Sequence, residues 1–373
     1  MKRIVSFVKK EIVLTIAVLL AIISAFFVKP SITYLSYIDY RVLVLLFCLM
    51  LVVAGMKNLG VFRMLGEKLC QHVKNTRQLT AVFLFLCFTL SMLITNDVAL
   101  ITFVPFTISV FAMTGYTEFL IPVIVLETIA ANLGSMLTPI GNPQNLLLFS
   151  LSNMSVGTFI LYMIPLTLAS FLLIFCFLPL VKRQEILQVT ESKEVALDKK
   201  KLSIYLLLFF VCLGNVFHLY SYWIVLAIVT VTLLVVNRQL FREVDYSLLF
   251  TFVGFFIFIG NIKQVEVVHF LLTTIIEGNE FLTAVLLSQI ISNVPAAMLL
   301  SGFTTDYEAL LYGVNVGGLG TLIASMASLI SYRLYVKEFP EKKKSYFMQF
   351  TIFNVILLLI LCFLVIVVKP ICF

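Results

Sequence analysis

Asn132-Leu-Gly-Ser-Met-Leu-Thr-Pro-Ile-Gly-Asn-Pro-Gln-Asn-Leu146 sets two prolines, two glycines and three asparagines inside one of the most apolar regions of the chain. Hydrocarbon cannot solvate unpaired backbone N–H and C=O groups, so such a segment at membrane depth must line a protected or wet cavity. A second stretch, Asn315-Val-Gly-Gly-Leu-Gly-Thr-Leu-Ile-Ala-Ser-Met-Ala-Ser-Leu329, aligns with it without a gap. Asn132 falls on Asn315, Gly134 on Gly317, Thr138 on Thr321, Ile140 on Ile323 and Leu146 on Leu329, five identities in fifteen. A shorter polar break precedes each stretch: Thr95-Asn96-Asp97 before the first and Ser292-Asn293-Val294-Pro295 before the second. A set of interruptions repeated in corresponding places of two halves points to the binding site of a secondary transporter.

The surroundings are those of a membrane protein. Of 373 residues, 61% are hydrophobic and 12% charged, with mean hydropathy +1.11. Apolar runs at Ile12–Val28, Arg41–Gly55, Phe159–Val181, Leu202–Leu219, Trp223–Val236, Ser247–Ile262 and Tyr346–Val368 approach or reach the roughly 17–25 residues a span needs. The first follows Lys2, Arg3, Lys9 and Lys10 but is too long for a signal-peptide core, and Ser24-Ala25-Phe26 is a poor cleavage site. It reads as a first span with the N-terminus inside. The net charge of +7 sits in loops, which makes it a topology signal rather than a nucleic-acid patch. The seven cysteines lack metal-ligand spacing, and Cys48, Cys87, Cys176, Cys212 and Cys362 read as small packing residues within spans.

Charge then orients the chain. With Asn96 and Asn293 at the tips of re-entrant hairpins, the loops at 1–10, 57–78, 182–201, 237–246 and 332–344 share one side. They carry about 22 of the 26 Lys and Arg residues, leaving Lys29, Arg41, Lys263 and Lys369 opposite. A single crossing through 79–113 would put the basic loop Lys182–Lys201 on the wrong side. The expected fold is therefore an all-α polytopic membrane protein with about nine spans and two re-entrant hairpins, N-terminus in and C-terminus out. Residues 1–181 form a first repeat, with its hairpin at 79–113 and a span at 119–150 broken near Thr138–Asn145. Residues 182–219 form a charged linker and linking span. Residues 220–373 form a second repeat of opposite orientation, with its hairpin at 280–303 and a span at 307–332 broken near Gly320–Ser325.

The chemistry of such breaks follows from helix ends. A starting half-helix presents free N–H groups and partial positive charge, and an ending one presents free carbonyls. Together they can hold an anionic group and a small cation. Asn96 and Asn293 can cap the next half-helix or bind a ligand, and Thr95 and Ser292 add hydroxyls. Pro295 suits a first helical turn, Pro139 and Pro143 bracket the first break, and Gly141 allows close backbone approach. Asn132, Thr138, Asn142 and Asn145 in the first broken span, and Asn315, Gly320, Thr321 and Ser325 in the second, complete the candidate set. Two acids sit at membrane depth, where an ionisable group is by default a functional hypothesis. Asp97 reads as a cation ligand, a proton carrier or a second helix cap, and Glu127 as a buried carboxyl or a proton relay. No Lys or Arg is expected at that depth. His72, His218 and His269 read as interface residues.

At these positions the chain resembles the ion transporter superfamily, which includes divalent anion/sodium symporters, citrate transporters, arsenite permeases and NhaD-type sodium–proton antiporters. The resemblance covers nearly the whole chain and is nearest to short bacterial anion permeases of the arsenite permease/NhaD branch, often described as citrate-transporter-like. It implies a homodimer with a mobile transport part carrying both hairpins and broken spans, elevator-type alternating access, and sodium or protons as coupling ion. It implies a sodium site near Asn96, Asp97 and Asn293. Symporters of this superfamily read Ser-Asn-Thr at both tips, whereas the third position here is Asp97 in one and Val294 in the other. That departure argues against a dicarboxylate site and towards proton or cation coupling, or a substrate other than a di- or tricarboxylate.

Two functions follow: an ion-coupled transporter of a small anion in a bacterial inner membrane, or a sodium–proton antiporter with no organic substrate. Neither needs a cofactor beyond the coupling ion. An intramembrane enzyme would need a zinc motif or a serine–histidine pair at depth, and ATP-driven transport would need a phosphate-binding glycine loop. The sequence has neither.

Overall fold

The structure is a computed structural model that describes residues 11–71, 73–186 and 197–372. The basic N-terminus, His72, most of the linker loop and the Lys369 side chain therefore lie outside the described residues.

Helices α1 (Ile12–Ala25), α2 (Tyr40–Asn58) and α3 (Val61–Cys70) precede the first break. Helices α4 (Thr76–Ile94) and α5 (Asn96–Thr114) flank it. The first long polar stretch separates α6 (Leu120–Gly134) from α7 (Pro143–Ser152). Then come α8 (Val156–Cys176), α9 (Lys199–Val216), α10 (Tyr222–Asn237), α11 (Tyr246–Ile262) and α12 (Glu266–Ile276). Helices α13 (Glu280–Ile291) and α14 (Asn293–Leu300) flank the second tip, and α15 (Tyr307–Val316) and α16 (Met326–Glu338) the second long break. The chain closes on α17 (Lys343–Cys372).

Side chains start these helices where the sequence offers short polar residues. Asp39 accepts from the Val42 N–H, Asn75 from Gln78, Asn142 from Asn145 and Asp245 from Leu248, each occupying an orphan donor of a first turn. Glycines at φ +80° (Gly60) and +81° (Gly115) end α2 and α5, a conformation that costs glycine nothing.

Among the described residues seven helices are long and apolar enough to cross a membrane, or eight if α11 and α12, bent by 105°, count as one span. The expectation of about nine spans counted the two broken ones, whose four half-helices of 10 to 15 residues are individually short of the roughly 30 Å core. Residues Thr117–Leu137 nonetheless pass once the flanking turns are included, and they are 89% buried against 22% for Tyr222–Arg242. The first broken segment is thus the spine of the molecule and α10 a peripheral helix. The arms around the two tips differ in length. Helices α4 and α5 have 19 residues each, enough to cross, whereas α13 and α14 have 12 and 8. The second broken segment runs six residues beyond its expected end at 332, so Arg333 is helical rather than in a loop.

Candidate functional site

The site is built from the four breaks. Thr95 takes φ +73°, ψ 149° between α4 and α5, and Ser292 takes φ +77°, ψ 154° between α13 and α14. That region belongs to glycine, and a residue with a Cβ held there stores on the order of 1–3 kcal/mol. Both strained residues stand immediately before a tip asparagine.

Each tip is tied to the broken segment that follows it. The Asn96 N–H donates to the Gly141 carbonyl at 3.1 Å and the Asn293 N–H to the Ala324 carbonyl at 2.9 Å. Gly141 and Ala324 lie nine residues beyond Asn132 and Asn315 respectively. A second tie repeats the correspondence. The Thr138 hydroxyl donates to the Met92 carbonyl, and the Thr321 hydroxyl to the Gln289 carbonyl at 3.1 Å.

Behind the tips the two broken segments brace each other. Asn132 Oδ1 accepts from Ser325 Oγ at 3.0 Å, and its Nδ2 donates to Ser328 Oγ at 3.4 Å. Asn315 Oδ1 accepts from Asn142 Nδ2 at 3.1 Å, and its Nδ2 donates to Asn145 Oδ1 at 2.7 Å. Ser325 and Ser328 stand ten and thirteen residues after Asn315, as Asn142 and Asn145 stand after Asn132. Each asparagine therefore grips, on the other segment, the two positions that the other grips on its own. Asn96 Nδ2 joins by donating to Asn132 Oδ1 at 3.0 Å, and Asn145 Nδ2 donates to the Ser135, Met136 and Thr138 carbonyls at 3.2–3.4 Å. All these asparagines are buried, which gives a satisfied polar network its rigidity.

A cavity of about 100 Å³ lies in front of this network. Of the expected residues, Asn96, Asp97, Ser292, Asn293, Val294 and Ser325 line it. Asn132, Asn142, Asn145 and Asn315 stand behind as its support, Thr95, Thr138 and Gly141 shape the first tip and break, and Gly320 and Thr321 sit at the second break away from the cavity. Glu127 is elsewhere. The first turns of α1, α5, α7, α11, α14 and α16 all contribute lining residues, so six helix N-termini converge on one space. Asn293 is 4% exposed and its carboxamide has no hydrogen-bond partner among the described residues, which leaves it available to a bound species.

Several lining or supporting residues carried no readable signal. Gln289, one turn before the second tip, donates to the Gly317 and Leu319 carbonyls at 2.9 Å and accepts from the Thr321 N–H, holding the second break open. Ser135 and Ser328 complete the network. Glu11, Asp245 and Arg333 bring three elements distant in sequence to the cavity, so with Asp97 its charged groups among the described residues are three carboxylates and one guanidinium. Arg333 lines the cavity from an exposed position. His218 lies apart, its Nε2 2.6 Å from Arg41 Nη1, and burial together with that guanidinium lowers its basicity.

The sequence profile of the citrate transporter family matches residues 3–306. The chain is 36% identical over 300 residues to an uncharacterized transporter of Methanocaldococcus jannaschii, covering 80% of this chain and 81% of that one. It is 34% identical over 308 residues to the inner membrane protein YbiR of Escherichia coli, covering 80% of each. A silicon efflux transporter of Oryza sativa is 35% identical over 132 residues, which is 35% of this chain and 27% of that protein.

Proposed function

Because this chain belongs to the citrate transporter family, a family of multi-pass membrane transporters, we propose that it is a secondary active transporter of a small anion coupled to sodium or protons. The observation that carries the reading is the convergence of six helix N-termini on one cavity, an arrangement that holds negative charge without a buried lysine or arginine. The repeated ties and the mutual brace of Asn132 and Asn315 support an inverted repeat, with α4–α5 and α13–α14 as its hairpins and an elevator-like movement of the braced unit. The homodimer is part of the same reading. Glu11, Asp245 and Arg333 lie towards the side assigned as inner by the basic loops, so the cavity reads as inward-facing.

The second reading, a sodium–proton antiporter, is favoured by the three carboxylates on the cavity, with Asp97 alternately holding sodium and a proton. Solid-supported-membrane currents from reconstituted protein separate the two. The panel is phosphate, sulfate, arsenite, arsenate, silicic acid, succinate and citrate, each with and without sodium at two pH values. Currents that require phosphate, sulfate, arsenate, succinate or citrate support the anion transporter. Currents driven by sodium or proton jumps alone, and lost in Asp97→Asn, support the antiporter.

In either case Asp97→Asn should abolish or displace the pH or sodium dependence of the current. An unchanged dependence would reduce Asp97 to a first-turn residue of α5. Asn293→Ala removes a donor and acceptor to the bound ion, worth about 1.5–3 kcal/mol for a charged partner, or roughly a ten- to hundredfold weaker half-saturation. Its own backbone tie to Ala324 is untouched. Unaltered half-saturation in that variant would remove the second tip from the binding site.

A further inference from the structure

A second polar cluster lies outside the cavity, where α5, α6, α16 and α17 meet. Glu127, on α6, is fully buried; its Oε1 accepts from Thr107 Oγ1 at 2.5 Å and its Oε2 has no partner. Tyr335 and Tyr346 are equally buried, with ring centroids 5.0 Å apart; among the described residues the Tyr335 hydroxyl has no hydrogen-bond partner and that of Tyr346 approaches only Thr128. Tyr346 lies beside Thr128 and within electrostatic reach of Glu127. The Thr128 hydroxyl donates to the Ile124 carbonyl at 2.7 Å, which leaves its oxygen able to accept from Tyr346. Among the described residues two buried polar atoms without partners, Glu127 Oε2 and the Tyr335 hydroxyl, thus share one neighbourhood with a third held by Thr128 alone, and such atoms call for an explanation. A bridging water with two to four polar neighbours is the usual one.

The charge balance narrows what the cluster does. The titratable groups facing Glu127 are Cys70 from α3, Cys87 from α4 and Tyr346 from α17, with Tyr335 and Tyr332 of α16 behind Tyr346. Thr107 is its contact from α5. Among the described residues none of these is a cation. An ionised carboxylate without a counter-charge at such a place costs several kcal/mol, and a neutral acid does not. Tyr335 and Tyr346 flank the loop that joins α16 to α17, and Glu127 stands five residues before Asn132 on α6, about 7 Å along the helix. The cluster therefore runs from a charged loop towards the braced asparagines, by a route that does not use the cavity.

We propose that Glu127 is a proton-binding site, filled through Tyr335 and Tyr346 from the loop between α16 and α17 and distinct from the cavity at Asp97. The proposal deepens the transporter reading, on which it rests, by making the proton a coupling ion with its own site. One proton leaves Glu127 Oε2 for a bridging water, which passes one of its own to the Tyr346 hydroxyl. Tyr346 passes its own to Tyr335 and Tyr335 releases its own to solvent at the loop, so every oxygen of the relay keeps its number of O–H bonds and only the carboxylate is left charged. The carboxylate left behind has Thr107 as its donor, so its charge is felt by α5, the helix that begins at the first tip.

Infrared difference spectroscopy of the purified, reconstituted protein tests this without any transport. The expected result is a protonated-carboxyl stretch that declines as pH rises, disappears in Glu127→Gln and persists in Asp97→Asn. Its hydrogen–deuterium exchange should slow at least about tenfold in Tyr346→Phe, a variant that keeps the stacked ring. In liposomes, Glu127→Gln should lose proton-driven flux while retaining exchange of labelled solute at equal pH. A band that persists in Glu127→Gln, does not titrate, or exchanges at an unchanged rate in Tyr346→Phe overturns the proposal. So does proton-driven flux at the parent level in Glu127→Gln. Absence of flux from every variant and the parent alike would instead count against the transporter reading, and the infrared result would still stand or fall by itself.

Discussion

Asn315→Ala should abolish transport and destabilise the protein, and should do both more severely than Asn132→Ala. Asn315 satisfies Asn142 Nδ2 and Asn145 Oδ1, on side chains that are 1% and 0% exposed. Truncation leaves both buried groups without that partner, at about 1–3 kcal/mol each. Asn142 also caps α7, so its displacement would unseat a helix whose first turn lines the cavity. The partners of Asn132 are more forgiving. Ser325 and Ser328 carry hydroxyls that can rotate towards backbone carbonyls, and Asn96 lines the cavity, where water can replace the lost acceptor. The measurement is thermal unfolding of the two variants in the same detergent, alongside solute-driven current. A destabilisation of about 2–6 kcal/mol for Asn315→Ala, with a smaller one for Asn132→Ala, fits the brace. Equal, small effects would mean that the two segments are held together by apolar packing and that the amides are incidental.

The gapless pairing of Asn132 with Asn315 made this brace partly legible in the sequence. It identified which residues correspond, because Gly, Pro and Asn are costly in hydrocarbon and stand out against Leu and Phe. It could not reveal that corresponding positions cross over to hold each other, since that depends on how two segments some 180 residues apart pack. Gln289 was invisible for a related reason. A single glutamine in Val285-Leu-Leu-Ser-Gln-Ile-Ile291 has no local mark of function, and its partners lie 28 to 32 residues away, at the second break. The cavity's outer wall was further out of reach. Glu11 and Asp245 meet because α1 packs along α11, a pairing that uniformly apolar helices do not encode in their periodicity. Helix ends were misjudged where polar residues continue a helix, as at Arg333, because a basic residue past an apolar run reads as loop.

Gly141→Ala should silence the transporter although the new methyl lies outside the cavity lining. A Cβ at Gly141 would stand 2.0 Å from the Ser135 carbonyl oxygen and under 3 Å from two further backbone atoms of that residue. No rotamer relieves a clash with backbone, so the break itself must move. Gly141 also supplies the carbonyl that takes the Asn96 N–H, which fixes the first tip with its strained Thr95. A displacement of about 1 Å in a positioning element can cost on the order of a hundredfold in rate, and that is the loss expected in solute-driven current. The corresponding position of the second segment supplies the control. Ala324 performs the same task for Asn293 with its methyl fully buried, so there the backbone already leaves room for a Cβ. Ala324→Gly should therefore retain most of the current and lose only about 1 kcal/mol of stability. Normal current in Gly141→Ala would mean that the first break relaxes without disturbing Asn96, and the rigid tie between tip and broken segment would have to be abandoned as the element that shapes the site. Loss in Gly141→Ala with retention in Ala324→Gly would instead place the demand for glycine on the turn between Pro139 and Pro143, where the first segment folds back most tightly on its own Ser135.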